Sequence, residues 1–131
     1  MCDTAADVKT VLIVEDDGDL RRMFRTALAL AGYEVFEAGD GLDALRVLDT
    51  TPPDAVILDL GLPFVSGAAV RQEIAAQAQT RRVPVIVVTG LPGAHDDLDA
   101  ACVLRKPVSP DRLIQVVKTC IAAGERGSAL A

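Results

Sequence analysis

The sequence predicts an α/β domain with a doubly wound, five-stranded parallel sheet. Short apolar runs alternate with helix-like segments along the 131 residues, and several of these runs are apolar throughout rather than at every second position. Such strands are buried on both faces, as in parallel sheets that helices cover on each side. Right-handed crossovers are expected, and the length fits one domain over residues 1–131.

The first half of the chain is predicted to form two strand–helix units. Residues 11–14 are an apolar run followed by acids and form the first strand. Residues 17–31 place apolar side chains three and four positions apart, which is typical of an amphipathic helix, and Gly32 is placed to end it. Residues 33–38 form the second strand. A short helix at 42–48 follows, and Pro52 and Pro53 interrupt regular structure after it.

The second half continues the alternation. Residues 55–58 form the third strand, and Ser66 suits the N-cap of a helix that runs to about residue 78. Pro84 introduces the fourth strand at 85–88, and residues 101–104 form a weaker fifth. Pro110 opens a last helix that ends at about residue 121. The domain core is therefore expected at about 9–122, with a flexible tail at 124–131.

Composition argues against several function classes. Thirteen basic and nineteen acidic side chains give a net charge of -6. No nucleic-acid binding is expected, because affinity for a phosphate backbone requires clustered Lys and Arg. The nearest cluster, Arg21, Arg22 and Arg25, lies on the first predicted helix, where a solvated helix face is the simpler interpretation.

Cysteine usage and hydropathy indicate the cellular compartment in which the protein is expected. Cys2, Cys102 and Cys120 are odd in number and lack C-x-x-C spacing, so neither a disulfide scaffold nor a zinc site is expected. The first ten residues lack the apolar run of a signal peptide. No stretch approaches the length of a membrane span. Free thiols, no membrane association and a cytoplasmic location are therefore predicted.

Polar residues follow four of the predicted strands, where parallel sheets of this kind bind ligands. They are Glu15, Asp16 and Asp17 after the first strand, Asp59 after the third, Thr89 after the fourth and Lys106 after the fifth. Clustered carboxylates resist ionisation unless a cation joins them, and Mg²⁺ prefers oxygen ligands. One Asp would also be able to accept a phosphoryl group as a nucleophile, with a lysine and a hydroxyl holding its oxygens.

Each of these residues alone has an ordinary structural explanation. Asp17 is best explained as a helix cap, Thr89 by the strand preference of threonine, and Lys106 as a surface charge. Their complementary chemistry on four strand ends favours a joint site instead.

The motifs at these strand ends resemble those of the receiver domains of bacterial two-component response regulators. The matching segments are VLIVEDD at 11–17, PDAVILDLGLP at 53–63 with Gly67 following, VIVVTG at 85–90 and LRKP at 104–107. In this order they are highly specific, and the resemblance covers about residues 9–122. It implies a flavodoxin-like fold with strand order 2-1-3-4-5.

The resemblance implies Mg²⁺ as the cofactor. Asp16 would be its principal ligand, and Glu15 beside it would act largely through water. Asp59 and the backbone carbonyl of Gly61 would complete the protein ligands.

The resemblance also implies how a phosphoryl group is received. Asp59 would be the phosphoacceptor, supplied by a histidine kinase, a phosphotransfer protein or a small phosphodonor. Thr89 would move toward the phosphoryl group and Lys106 would pair with it, while Pro107 would fix the turn through a cis bond. The output would be altered binding to a downstream protein whose identity the sequence does not give.

Three features depart from the family pattern. Val103 stands where the family usually has an aromatic residue that reports phosphorylation. Thr89 and Lys106 are 17 positions apart (106 minus 89), fewer than is usual, so a shortened fourth helix is expected at 93–101. Gly61 and Leu91 occupy the two positions that tune phosphoryl lifetime, and their effects oppose each other.

The leading interpretation is a stand-alone receiver that is not an enzyme beyond weak self-phosphorylation and self-dephosphorylation. Three alternatives remain: a metal-dependent phosphatase that forms an aspartyl phosphate, a receiver that is part of a longer hybrid kinase, and a receiver-like binding module that is never phosphorylated.

Overall fold

The computed structural model describes residues 8–63, 65–90 and 102–130, and of 125–130 it describes the backbone alone. Strands and helices alternate along most of this length. They are β1 (Thr10–Val14), α1 (Gly18–Leu30), β2 (Glu34–Ala38), α2 (Gly41–Thr50), β3 (Ala55–Asp59), α3 (Gly67–Ala76), β4 (Val85–Thr89), β5 (Cys102–Arg105) and α4 (Pro110–Leu130).

The five strands form one parallel sheet in the order β2-β1-β3-β4-β5, which confirms the predicted fold class and strand order. In the register of β1 and β3, Val14 lies opposite Leu58. The residues that follow them, Glu15 just after β1 and Asp59 at the end of β3, therefore lie side by side at this edge of the sheet. No helix among the described residues is long and apolar enough to cross a membrane.

The core has two layers, one on each face of the sheet. Val11, Ile13 and Ile57 pack on the face that α1 and α4 cover. Leu12 and Val56 pack on the opposite face under α2 and α3. Each fully buried side chain of this kind contributes about 1.5–3 kcal/mol relative to exposure. Burial on both faces is the physical reason why these strands are apolar at every position.

Local signals at the helix ends act as the sequence predicted. The Asp17 carboxylate accepts from the backbone N–H groups of Asp19 and Leu20 at 3.0 and 3.2 Å, so it caps α1. Ser66 Oγ accepts from the N–H of Ala69 at 3.1 Å and caps α3. Gly32 follows α1 with φ of 101°, a conformation that glycine adopts without steric cost.

The predicted end of the last helix was wrong. The helix was expected to end at about residue 121 and a tail to begin at Gly124, whereas α4 continues to Leu130. A glycine inside a helix costs only about 1 kcal/mol relative to alanine, and Gly124 follows two alanines that favour the helix. The shortened helix expected at 93–101 lies outside the described residues.

Gly67, the first residue of α3, lies directly against the end of β3. A Cβ atom at this position would lie 2.6 Å from the carbonyl oxygen of Asp59 and 2.7 Å from Cα of Leu60. These distances are shorter than van der Waals contact, and both atoms belong to the backbone. Helix α3 therefore begins against β3 without an intervening side chain.

Candidate functional site

Three acids meet at the carboxyl ends of β1 and β3. Glu15, Asp16 and Asp59 each offer one carboxylate oxygen, and these atoms lie within 4.8 Å of one another. Glu15 and Asp59 are 2% and 6% exposed, whereas Asp16 is open to solvent. The structure thus brings together the three carboxylates that the sequence analysis assigned to a metal.

Lys106 reaches this acidic cluster from the end of β5. Its Nζ lies 2.9 Å from Glu15 Oε1 and 3.4 Å from Asp59 Oδ2. Its backbone N–H donates to the carbonyl of Thr89 at 2.9 Å. The peptide bond between Lys106 and Pro107 is cis, as the resemblance implied. The strong pairing of the lysine with Glu15 was not predicted from the sequence.

Burial and charge act in opposite directions on this pair. Burial raises the pKa of the Glu15 carboxyl, against the lowering effects of Lys106 and of the Asp17 N–H, and the charge of Asp59 raises it further. Burial alone would lower the pKa of Lys106, but the hydrogen bonds and charges of Glu15 and Asp59 raise it above its usual range. Burial therefore determines the direction of the pKa shift at Glu15, and attraction to the two carboxylates determines it at Lys106.

The donor set of the cluster fits a hard divalent cation. Three carboxylates face a single ammonium group, which leaves an excess of negative charge if all the groups are ionised. Carboxylate oxygens at this spacing are ligands that Mg²⁺ prefers. A divalent cation would offset this excess negative charge.

Two further residues that the sequence analysis assigned to the site, Gly61 and Thr89, lie near Asp59. The Gly61 N–H donates to Asp59 Oδ1 at 3.0 Å, which orients this carboxylate; the role of the Gly61 carbonyl as a metal ligand stays a prediction. Thr89 is fully buried. Asp59 pairs with Val88 in the sheet, so Thr89 lies one position further along the neighbouring strand.

Arg21 contacts the acidic segment, which the sequence analysis did not predict. Its Nη1 donates to the backbone carbonyl of Glu15 at 2.8 Å, and its Nε donates to Glu37 Oε1 at 3.1 Å. The expectation of a solvated face is wrong for Arg21, whose side chain is 24% exposed. It fits Arg22 and Arg25, whose side chains are 69% and 55% exposed.

Val103 stands on the side of the site away from Arg21. It pairs with Val87 in the sheet and packs, half-buried, on the core face under α2 and α3. Leu91, the other predicted tuning position besides Gly61, lies outside the described residues.

The chain is similar in sequence to a family of known proteins. Residues 11–118 match the response regulator receiver domain family. The polar-differentiation response regulator DivK of Brucella ovis is 33% identical over 116 residues, which cover 85% of this chain and 94% of DivK. The probable transcriptional regulator ycf27 of Porphyridium aerugineum is 31% identical over 123 residues, which cover 90% of this chain. The chain spans 50% of that regulator's length.

A solved structure shows the same likeness in three dimensions. The receiver domain of the sensor histidine kinase PA1611 from Pseudomonas aeruginosa superposes with a TM-score of 0.82 and is 29% identical. The match covers 88% of this chain and 98% of that domain, which holds a magnesium ion in its active-site cleft.

Proposed function

The chain belongs to the response regulator receiver domain family of two-component signalling, and from that premise we propose that Asp59 is its phosphoacceptor. One observation carries the proposal. A lysine ammonium lies between two buried carboxylates, 2.9 Å from Glu15 and 3.4 Å from Asp59. This arrangement puts a nucleophilic oxygen next to a positive charge, as transfer of an anionic phosphoryl group requires.

The proposed step moves a phosphoryl group from a phosphohistidine to Asp59. A carboxylate oxygen of Asp59 attacks phosphorus, the new P–O bond forms, and the P–N bond breaks. The imidazole leaves as a neutral group, because its other ring nitrogen carries the proton. The product is an acyl phosphate on a residue that is 6% exposed, and Lys106 offsets the charge on the phosphoryl oxygens.

We propose Mg²⁺ as the cofactor of this step. The residues that would hold it are Asp16, Asp59 and the Gly61 carbonyl, with Glu15 acting through water. Bound Mg²⁺ would supply positive charge that brings phosphoryl oxygens up to a carboxylate-rich site. The magnesium ion in the PA1611 receiver domain supports this assignment.

The resting contacts suggest how the remaining residues act. Gly61 holds one oxygen of Asp59 through its N–H, while Glu15 holds Lys106 at 2.9 Å. The ammonium has three protons, so it can bind a phosphoryl oxygen while it keeps one carboxylate. The Thr89 hydroxyl would then approach the phosphoryl group from β4. Phosphorylation would bias two states by its differential stabilisation of them.

The proposed output is a change in protein–protein binding. Upstream, a histidine kinase or a phosphotransfer protein would supply the phosphoryl group; downstream, a protein target would bind the phosphorylated state. A second candidate keeps the same chemistry but sets this receiver within a hybrid kinase. The likeness to the receiver domain of the sensor histidine kinase PA1611 favours it.

Mass spectrometry of the intact protein tests the proposal. Incubation with Mg²⁺ and acetyl phosphate should add one phosphoryl group, and Asp59→Asn should abolish the addition. Asp54→Asn is the matched control: Asp54 precedes the same strand, and its Oδ2 accepts from the N–H of Thr10 at 2.8 Å, so labelling should persist.

Three outcomes would count against it. Labelling of the Asp59→Asn variant would place the phosphoacceptor elsewhere. Absence of labelling with every phosphodonor would support a binding module that is never phosphorylated, whereas steady release of inorganic phosphate from phosphate esters would favour the phosphatase alternative.

A further inference from the structure

The backbone around Glu15 is tied to the end of β2 on both sides of that residue. The Glu15 N–H donates to the carbonyl of Ala38 at 3.1 Å. The Glu15 carbonyl accepts from Arg21 Nη1 at 2.8 Å, and Arg21 Nε reaches Glu37 at 3.1 Å. The start of the acidic segment 15–17 is therefore fixed relative to β2 by one backbone bond and one arginine bridge.

The arginine bridge acts on the peptide group that leads into Asp16. The carbonyl of Glu15 and the N–H of Asp16 belong to one planar unit. The hydrogen bond to Arg21 thus sets the direction in which the chain enters Asp16. Asp16 itself is exposed, so its carboxylate gains no orientation from burial in the core.

Two hydrogen bonds fix the orientation of Arg21 relative to this peptide group. Its planar guanidinium uses two separate donors for two acceptors, a geometry that a lysine ammonium does not reproduce. Arg25 Nε lies 3.3 Å from the second carboxylate oxygen of Glu37, so Glu37 is shared by two arginines. Partly exposed pairs of this kind each contribute only about 0–1 kcal/mol to stability, so stability alone is a weak reason for the arrangement.

We propose that Arg21 is a positioning residue for the divalent cation: its hydrogen bond to the Glu15 carbonyl holds Asp16 in place beside Asp59. The inference rests on the proposed function, because it concerns the same cation site. Groups that orient metal ligands without touching the metal typically alter affinity by about 10- to 100-fold. Arg21 belongs to that class of residue.

Charge and orientation predict opposite signs when Arg21 is removed. Loss of a positive charge near three carboxylates would by itself tighten the binding of a cation. Loss of the hydrogen bond to Glu15 would release the peptide group before Asp16 and weaken binding. The direction of the change therefore separates the two roles.

The experiment measures Mn²⁺ binding to the unphosphorylated protein by electron paramagnetic resonance, since Mn²⁺ favours the same oxygen ligands as Mg²⁺. Arg21→Met should raise the dissociation constant by about 10-fold or more. Arg25→Met is the matched control, because it removes an equal charge and a contact to the same Glu37. Its dissociation constant should stay within about twofold of the unmodified protein's, since single exposed charges act weakly.

Three further measurements separate positioning from loss of structure. Arg21→Lys keeps the positive charge but not both guanidinium donors. Its affinity for Mn²⁺ should therefore fall between those of the unmodified protein and the Arg21→Met variant. In labelling with acetyl phosphate, Arg21→Met should raise the Mg²⁺ concentration needed for half-maximal rate, with the maximal rate within about twofold. Thermal unfolding establishes that each variant is folded.

The outcomes distinguish this inference from the proposed function. Mn²⁺ binding by the unmodified protein with equal or tighter binding by Arg21→Met would overturn the positioning role alone. An equal loss in Arg25→Met would also overturn it, because that residue shares Glu37 with Arg21. Absence of Mn²⁺ binding by the unmodified protein would overturn the cation site and this inference together.

Discussion

The two sides of the acidic cluster are built differently. On the β1 side, segment 15–17 is tied by hydrogen bonds to β2 and caps α1. On the β5 side, Lys106 follows a four-residue strand at the edge of the sheet. The half-buried Val103 lies within that strand, at the position where the resemblance to receiver domains predicts an aromatic residue. The side that would bind the cation follows the family pattern, and the side that would report phosphorylation departs from it.

This difference suggests that capture of a phosphoryl group and its readout are separable. Among the proposed capture residues, Glu15 and Asp59 are almost fully buried, and Asp16 beside them is exposed. In the proposed function, a change of state would be transmitted through β4 and β5, where Val103 offers less surface to move than a tyrosine would. Substitutions on the β5 side should therefore alter the response to phosphorylation more than they alter phosphorylation itself.

Replacing Lys106 should have the largest effect of the substitutions considered, because this residue follows β5 and contacts Glu15 on the β1 side of the cluster. In Lys106→Met, Glu15 would remain 2% exposed without its ammonium partner, so the free energy of unfolding should fall by about 3 kcal/mol. Urea denaturation measures the loss, and added Mg²⁺ should recover part of it. Arg105→Met, at an exposed neighbouring position, should cost less than about 0.5 kcal/mol. Equal losses would show that the buried pairing is unimportant.

Replacing Thr89 should separate capture from readout. Thr89→Ala should lower the free energy of unfolding by about 1 kcal/mol and leave labelling by acetyl phosphate intact. The change in amide hydrogen exchange of β5 on labelling should be lost. Thr80→Ala is the control, because Thr80 is also buried and its hydroxyl donates to the carbonyl of Ile74 at 2.8 Å. Thr80→Ala should cost a similar free energy and keep the exchange response.

A tyrosine at position 103 should test the readout side of the cluster with the smallest effect on stability. Val103→Tyr should change the free energy of unfolding by less than about 1 kcal/mol, because the position is half-buried on an edge strand. The chain has one tyrosine, Tyr33, so fluorotyrosine labelling adds a single new ¹⁹F resonance. That resonance should shift on phosphorylation and the β5 exchange response should grow. An unchanged exchange response would mean that the size of residue 103 does not limit readout.

Much of the fold could be predicted because parallel strands buried on both faces leave a direct mark on the sequence. The run from Val11 to Val14 is apolar at every position since helices cover both sides of β1. Asp59 was placed at a strand end by the same pattern, and the structure puts it beside Glu15. The cap formed by Asp17 could also be predicted, because it depends only on nearby residues. Its side chain accepts from N–H groups two and three positions ahead.

The contacts that could not be predicted depend on register between distant segments. The bridge from Arg21 to Glu37 requires the register in which β1 pairs with β2, and the predicted strand order does not give that register. The strong bond between Lys106 and Glu15 likewise depends on how far β5 is offset across β4 and β3. The end of α4 was mistaken for a local reason, since Gly124 resembles a stop signal but costs a helix little.

Gly67 carries a consequence for mutational tolerance. A methyl group there would overlap the carbonyl oxygen of Asp59, although residue 67 supplies no functional side chain. In a saturation library selected for signalling, position 67 would return glycine almost exclusively. The reacting positions would likewise return almost only their own residues. A map of tolerated substitutions would thus place Gly67 among the chemical residues, and only the backbone contact distinguishes a packing constraint from a catalytic one.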